Sequence, residues 1–273
     1  MKKTPTCPMC HSGDSLAPIS VDGGADEAYF CEECSNLVHT RAPVVTAPRR
    51  IPRPAATVRG ELPGPSDADA GRVAEVEAVK IQFLARPRDS GSKVAGYLEG
   101  YQQVFSSVGL AACAPGVLKD FANSNIGCNP GNMSVFNSAW NELGEREAAE
   151  RVREVIDYLL RGEGLDLEDR FSALVNGSAS VEMKGFKEAL LTRVLWVDDP
   201  GRFVPLLTYT GNAGKKEIAR SIWGLRLPDP DSVDWSLGRL SVWSNDLLRE
   251  LAGEGFEHTQ HIGEFLWWAK DQL

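Results

Sequence analysis

The chain is expected to be mainly α-helical, with a small β module at its N terminus and an extended tether joining the two. Three observations predict this. Two Cys-x-x-Cys pairs stand twenty residues apart near the start. Six prolines, Pro43, Pro48, Pro52, Pro54, Pro63 and Pro65, crowd the stretch that follows. From residue 72 onward, apolar residues recur at helical spacing. The expected division is a module over 1–41, a linker over 42–71 and a helical domain over 72–273.

The cysteines decide the first element. Cys7-Pro-Met-Cys10 and Cys31-Glu-Glu-Cys34 have the spacing of a structural zinc site, in which each short knuckle points two thiolates at one metal. Four thiolates leave no open coordination position, so the expected Zn²⁺ is structural. His11 and His39 adjoin the knuckles as substitutes for a cysteine. Between the knuckles a β-hairpin is expected, with Ala28-Tyr-Phe30 as a strand and Val21–Ala25 as a turn. So small a module buries little core, and metal binding would supply most of its folding energy.

Compartment supports zinc over disulfides. Two lysines follow Met1 with no apolar run behind them, unlike a signal peptide. No stretch approaches the roughly 18 consecutive apolar residues of a membrane helix. A cytoplasmic protein without membrane partners is expected, with its thiols reduced.

Charge separates the tether from the body. The net charge is −9, which argues against a protein that coats nucleic acid indiscriminately. Residues 1–60 carry seven Lys/Arg against six Asp/Glu, leaving 22 of the 29 basic and 32 of the 38 acidic residues for the rest. Between Cys34 and Glu61 there is no acidic residue, whereas Arg41, Arg49, Arg50, Arg53 and Arg59 all fall there. The prolines make this segment extended and semi-rigid. Its arginines suit a basic arm tracking DNA phosphates; a solubilised linker would look the same.

Helices are expected over 72–84, 97–108, 145–161, 184–197, 215–225, 237–251 and 258–271. The clearest is 145–161, where Ala148, Val152, Val155, Ile156, Leu159 and Leu160 form one stripe opposite charged residues. The helix ending at Val197 stops before Asp198-Asp-Pro-Gly201, a strong breaker. All seven tryptophans lie after residue 139 and, at helical spacing, are read as packing.

Four segments invite chemistry. Asn123–Asn132 is an Asn/Gly-rich loop whose Asn129 and Asn132 suit base edges or phosphates, although turns and helix caps use the same residues. Glu182-Met-Lys184 has the E-x-K form of Mg²⁺-dependent nucleases, with Asp169 as a second carboxylate, but that core needs a strand where a helix is expected here. Thr208–Lys216 lacks the first glycine and the final Ser/Thr of a phosphate-binding loop. Cys113 and Cys128 are expected to be free, buried thiols, and His258 and His261 ordinary helix residues.

Asn129-Pro-Gly-Asn132 followed by Phe136 and Trp140, Phe186–Leu191 running into Asp199–Pro205, and Phe265-Leu-Trp-Trp268 together resemble a helical region of McrB-like modification-dependent restriction ATPases and related prokaryotic defence proteins. The similarity covers about residues 95–273 and includes no motor and no catalytic residue of that family. It implies a non-catalytic DNA-recognition or adaptor subunit of a restriction or anti-phage system, with a separate nuclease or ATPase subunit as partner. The alternatives are a Mg²⁺-dependent nuclease using Asp169, Glu182 and Lys184, and a protein-interaction scaffold.

Overall fold

Three short antiparallel strands come first in the computed structural model, which describes residues 16–19, 28–31, 36–39, 58–86 and 91–273. Strands β1 (Leu16–Ile19), β2 (Ala28–Cys31) and β3 (Asn36–His39) form one sheet with β2 in the centre. Leu16 stands opposite Cys31 on one side of β2, and Ala28 stands opposite His39 on the other. The strand expected at Ala28–Phe30 is therefore present, one residue longer; the turn at Val21–Ala25 lies outside the described residues.

The chain divides into two units, Met1–Pro52 and Arg53–Leu273. The second is mainly helical: α1 (Ala70–Leu84), α2 (Gly91–Phe105), α3 (Ser107–Ala112), α4 (Pro115–Asn123), α5 (Ser134–Leu143), α6 (Glu145–Arg161), α7 (Leu167–Asn176), α8 (Glu188–Asp198), α9 (Lys215–Trp223), α10 (Leu237–Ala252) and α11 (Thr259–Lys270). It takes in residues that the proline pattern assigns to the linker. Val58 is only 1% exposed, Leu62 packs against the core, and Asp69 caps α1 through the Arg72 N–H.

Two hydrophobic cores build this unit, and their order along the chain is interleaved. The first takes its residues from Val94 to Phe203, joined by Val242 of α10. The second takes Val76 and Phe83 of α1, then resumes at Val204 and runs to Ala269. The helix that opens the second core thus precedes the whole of the first. At about 1.5–3 kcal/mol for each large apolar side chain withdrawn from water, these cores dominate the stabilisation.

Individual helices follow their sequence patterns. Helix α6 buries Ala148, Ala149, Val152, Val155, Ile156 and Leu159 and keeps the bounds its stripe predicts. Every residue of α8 from Leu190 to Val197 is buried, as expected of a helix surrounded by others; it starts four residues later than its pattern suggests. The stretch expected as one helix over 97–108 breaks at Ser106, whose hydroxyl accepts from the Gly109 N–H and starts α3. Helices α4, α5 and α7 are additional to those expected. Of the tryptophans, Trp140, Trp196, Trp223 and Trp243 are buried, whereas Trp267 is 39% exposed.

Cations hold many of the helix ends. A helix C-terminus leaves carbonyls without partners and carries partial negative charge. Lys80 donates to the Ala252 carbonyl at 2.7 Å at the end of α10, and Lys187 to Leu174 at 3.0 Å near the end of α7. Arg153 donates to Leu110 and Cys113 at the end of α3, Arg161 to Phe105 at the end of α2, and Arg170 to Leu159 and Gly162 at the end of α6. Among the described residues no helix is long and apolar enough to cross a membrane.

Candidate functional site

Of the four cysteines expected to hold zinc, Cys31 closes the central strand β2, facing Leu16 and Asn36 in register. Cys7, Cys10 and Cys34 lie outside the described residues, as do Arg41, Arg49, Arg50 and Arg53.

Arg59 is described and exposed, and it lines a 330 Å³ cleft with Arg202, Arg239, Trp235 and Asp166. Three arginines and an indole look suited to a phosphate, but the cleft is not electropositive. Arg239 donates to both oxygens of Asp169 at 2.6 and 3.0 Å, and Arg202 to both oxygens of Asp246 at 2.9 and 3.3 Å. Hydrogen bonding to the Asp246 carboxylate pushes Arg202 up from its ordinary pKa, and Asp169 does the same to Arg239. With Asp166 and Glu168 at the wall, anions gain little here.

The Asn/Gly-rich loop is organised from within. Arg193, fully buried on α8, donates to the carbonyls of Phe121, Ser124, Ile126 and Cys128. The loop is wrapped around one guanidinium. Asn129 accepts from the Gly131 N–H at 2.8 Å in a turn, and Asn132 from the Ser134 N–H at 2.9 Å at the start of α5. Local turn contacts to backbone N–H groups therefore account for both oxygens, and the base-reading role expected for these residues gains no support from their placement. Cys113 and Cys128 are half-buried rather than buried. Burial nevertheless pushes the Cys128 thiol up, against the opposing effect of Arg193.

The nuclease alternative loses its scaffold. Residues 178–187 form neither strand nor helix. Gly185 at φ +82° brings this loop so close to α5 that a β-carbon would lie 2.4 Å from the Phe136 nitrogen, and buried Met183 and Phe186 pin it there. Glu182 and Lys184 face a small cavity with Glu142 and Arg151, while Asp169 is held by Arg239. Among the described residues no three His, Cys, Asp or Glu side chains gather as metal ligands.

One polar cluster escaped the sequence reading. Lys215 is 1% exposed, and its Nζ donates to Ser241 Oγ at 3.0 Å, itself 3% exposed. Burial lowers its pKa from 10.5 to about 8, although the carboxylates of Glu188 and Asp246 work against the shift. Burial likewise raises the Glu188 carboxyl, which accepts the Tyr209 N–H at 2.6 Å. A lysine beside a serine can activate a nucleophile, but neither group meets solvent, and the pair serves as a polar joint between α9 and α10. The signal was available: Lys215, Ile218, Ala219 and Ile222 share the buried face of α9.

Two openings lie along α11. One is an 810 Å³ groove bordered by Glu250, Glu254, Arg249 and His258, whose Nδ1 accepts the His261 N–H to cap α11. The other is a 410 Å³ cavity walled by Pro205, Gln260, Glu264, Trp267, Trp268 and Asp271.

No protein-family model matches the chain. No curated protein and no solved structure matches it either.

Proposed function

We propose that this protein is a non-catalytic recognition or adaptor subunit of a prokaryotic restriction or anti-phage system. A zinc ribbon held by Cys7, Cys10, Cys31 and Cys34 and the arginine-rich segment behind it contact DNA, and the helical unit docks a separate nuclease or ATPase subunit. The observation that carries this division is where positive charge is spent. In the helical unit Lys80, Arg153, Arg161, Arg170, Lys187 and Arg193 serve backbone carbonyls, mostly at helix ends, and Arg202 and Arg239 are neutralised by Asp246 and Asp169. The acidic remainder repels phosphate, whereas the segment from Arg41 to Arg53 contains no acidic residue; Arg59, beside Asp166 and Glu168, adds little to it.

Cys31 at the end of the central strand is where the second knuckle of a ribbon would begin, which supports the metal assignment. The resemblance of residues 95–273 to McrB-like proteins supplies the biological setting.

Fluorescence anisotropy of the zinc-loaded protein on plain and modified duplex DNA, with Mg²⁺ present and products run on a gel, tests the reading. Salt-sensitive binding without cleavage is expected, and Arg49→Ala, Arg50→Ala and Arg53→Ala combined should weaken it and flatten its salt dependence by about three phosphate contacts. Unchanged affinity in the triple variant would remove the basic arm, and no binding to any duplex at low salt would leave a protein-only adaptor.

A further inference from the structure

The cavity beside the end of α11 combines features that bear on what it accepts. Trp267 is the most exposed of the described tryptophans and forms one wall, with Trp268 and Pro205 completing an apolar lining. The charged residues that line it, Glu264 and Asp271, are both acidic. Gln260 is only 6% exposed; its Nε2 donates to the Gly127 carbonyl at 2.8 Å and to Glu264 at 3.1 Å, while its Oε1, buried, accepts no hydrogen bond. Two cations sit over the indoles outside the lining, Lys270 5.8 Å from the Trp267 ring and Arg86 5.0 Å from that of Trp268.

Aromatic faces and carboxylates together select a cation on an apolar stem. A guanidinium suits them better than an ammonium, because its plane stacks on indole while its edge donates to a carboxylate. Phosphate is repelled by the same wall.

We propose that this cavity is a docking pocket for an arginine side chain presented by an extended, basic segment of a partner protein. The inference rests on reading the helical unit as the docking half of the protein, and it names the face and the chemistry of the partner. Seated there, the guanidinium lies against Trp267 and donates to Glu264.

The test uses the full zinc-loaded chain and a fluorescent peptide carrying two arginines among prolines, which keep it extended. Saturable binding is expected, and it is lost when citrulline replaces arginine. Trp267→Ala should weaken binding about tenfold and Glu264→Gln about fivefold, in line with one cation–π contact and one charge-assisted hydrogen bond. Glu264→Gln keeps an oxygen for Gln260, so its fold is preserved. Glu250→Gln, in the other groove, should leave affinity within about twofold, as expected for a screened surface charge.

Equal loss in the Glu250 and Glu264 variants would mean diffuse attraction and overturn the pocket, as would wild-type binding by both Trp267→Ala and Glu264→Gln. A lysine peptide binding as tightly would overturn the preference for arginine. Titrating the same preparation with duplex DNA separates the two levels. DNA bound with the peptide ignored overturns the pocket alone. Peptide bound through Trp267 with DNA ignored supports the pocket and overturns the DNA half of the proposed function.

Discussion

The Arg193 guanidinium donates to the Phe121 carbonyl at 3.0 Å, joining residues 72 positions apart. The same group holds Ser124, Ile126 and Cys128, so one side chain fixes the end of α4 and the loop that follows. A buried charge held by several carbonyl dipoles is costly to disturb, because its removal leaves those oxygens without donors.

Arg193→Met should therefore lower stability by about 3 kcal/mol or more. Arg193→Lys should recover only part, since an ammonium lacks the planar fork that reaches several carbonyls together. A shift of the urea midpoint at constant slope is the readout. An unmoved midpoint would show that the loop holds its shape without the guanidinium.

Gly127→Ala should be comparably damaging. Gly127 sits at φ +80°, and a β-carbon there would lie 2.1 Å from Cη2 of buried Trp196. Left-handed strain and overlap together predict a loss of about 3 kcal/mol, with a changed near-ultraviolet tryptophan signal. A melting temperature equal to the parent's would refute the close approach.

Lys215 should make stability rise with alkaline pH. Its pKa is about 8 in the folded protein and 10.5 when unfolded, so between those values the unfolded chain binds more protons. The penalty for burying the ammonium is complete below pH 8 and is relieved as pH climbs to 10.5. Relative to Lys215→Met, the parent should gain about 3 kcal/mol across that window. Parallel pH profiles for the two proteins would place the lysine's titration elsewhere.

The cysteine spacing predicts one Zn²⁺ per chain, released when the thiols are modified. Metal analysis of the purified protein checks it, and Cys31→Ser should lower metal retention sharply. Full zinc content in that variant would remove Cys31 from the ligand set.

Much of the helical unit was legible in the sequence, for identifiable reasons. Helix α6 announces itself because its apolar stripe is long and its opposite face charged. Helices α4, α5 and α7 are nine or ten residues each and contribute only three buried side chains apiece, too few for the periodicity to stand out. Pro115 at the first position of α4 reads as a turn signal although it suits a helix start equally well. The candidate chemistry was harder. Asn129 and Asn132 look alike whether they hold turns or read bases, and only their partners distinguish the two. Lys215 stood inside a failed phosphate-loop motif, where its place on a buried helix face went unread. No local pattern could foretell that Asp169 would pair with Arg239, because that contact is made across 70 residues.

The interleaving of the two cores has a consequence for biosynthesis. Val76 and Phe83 emerge from the ribosome early, together with Leu62, Ala68, Val79 and Leu84, but the other apolar neighbours of this core begin only at Val204. At about 5–20 residues per second, α1 waits on the order of ten seconds with its greasy face uncovered, while everything needed for the first core except Val242 is already made. During that interval Val76 and Phe83 stay open to chaperones, and translational pausing between residues 86 and 204 would lengthen it.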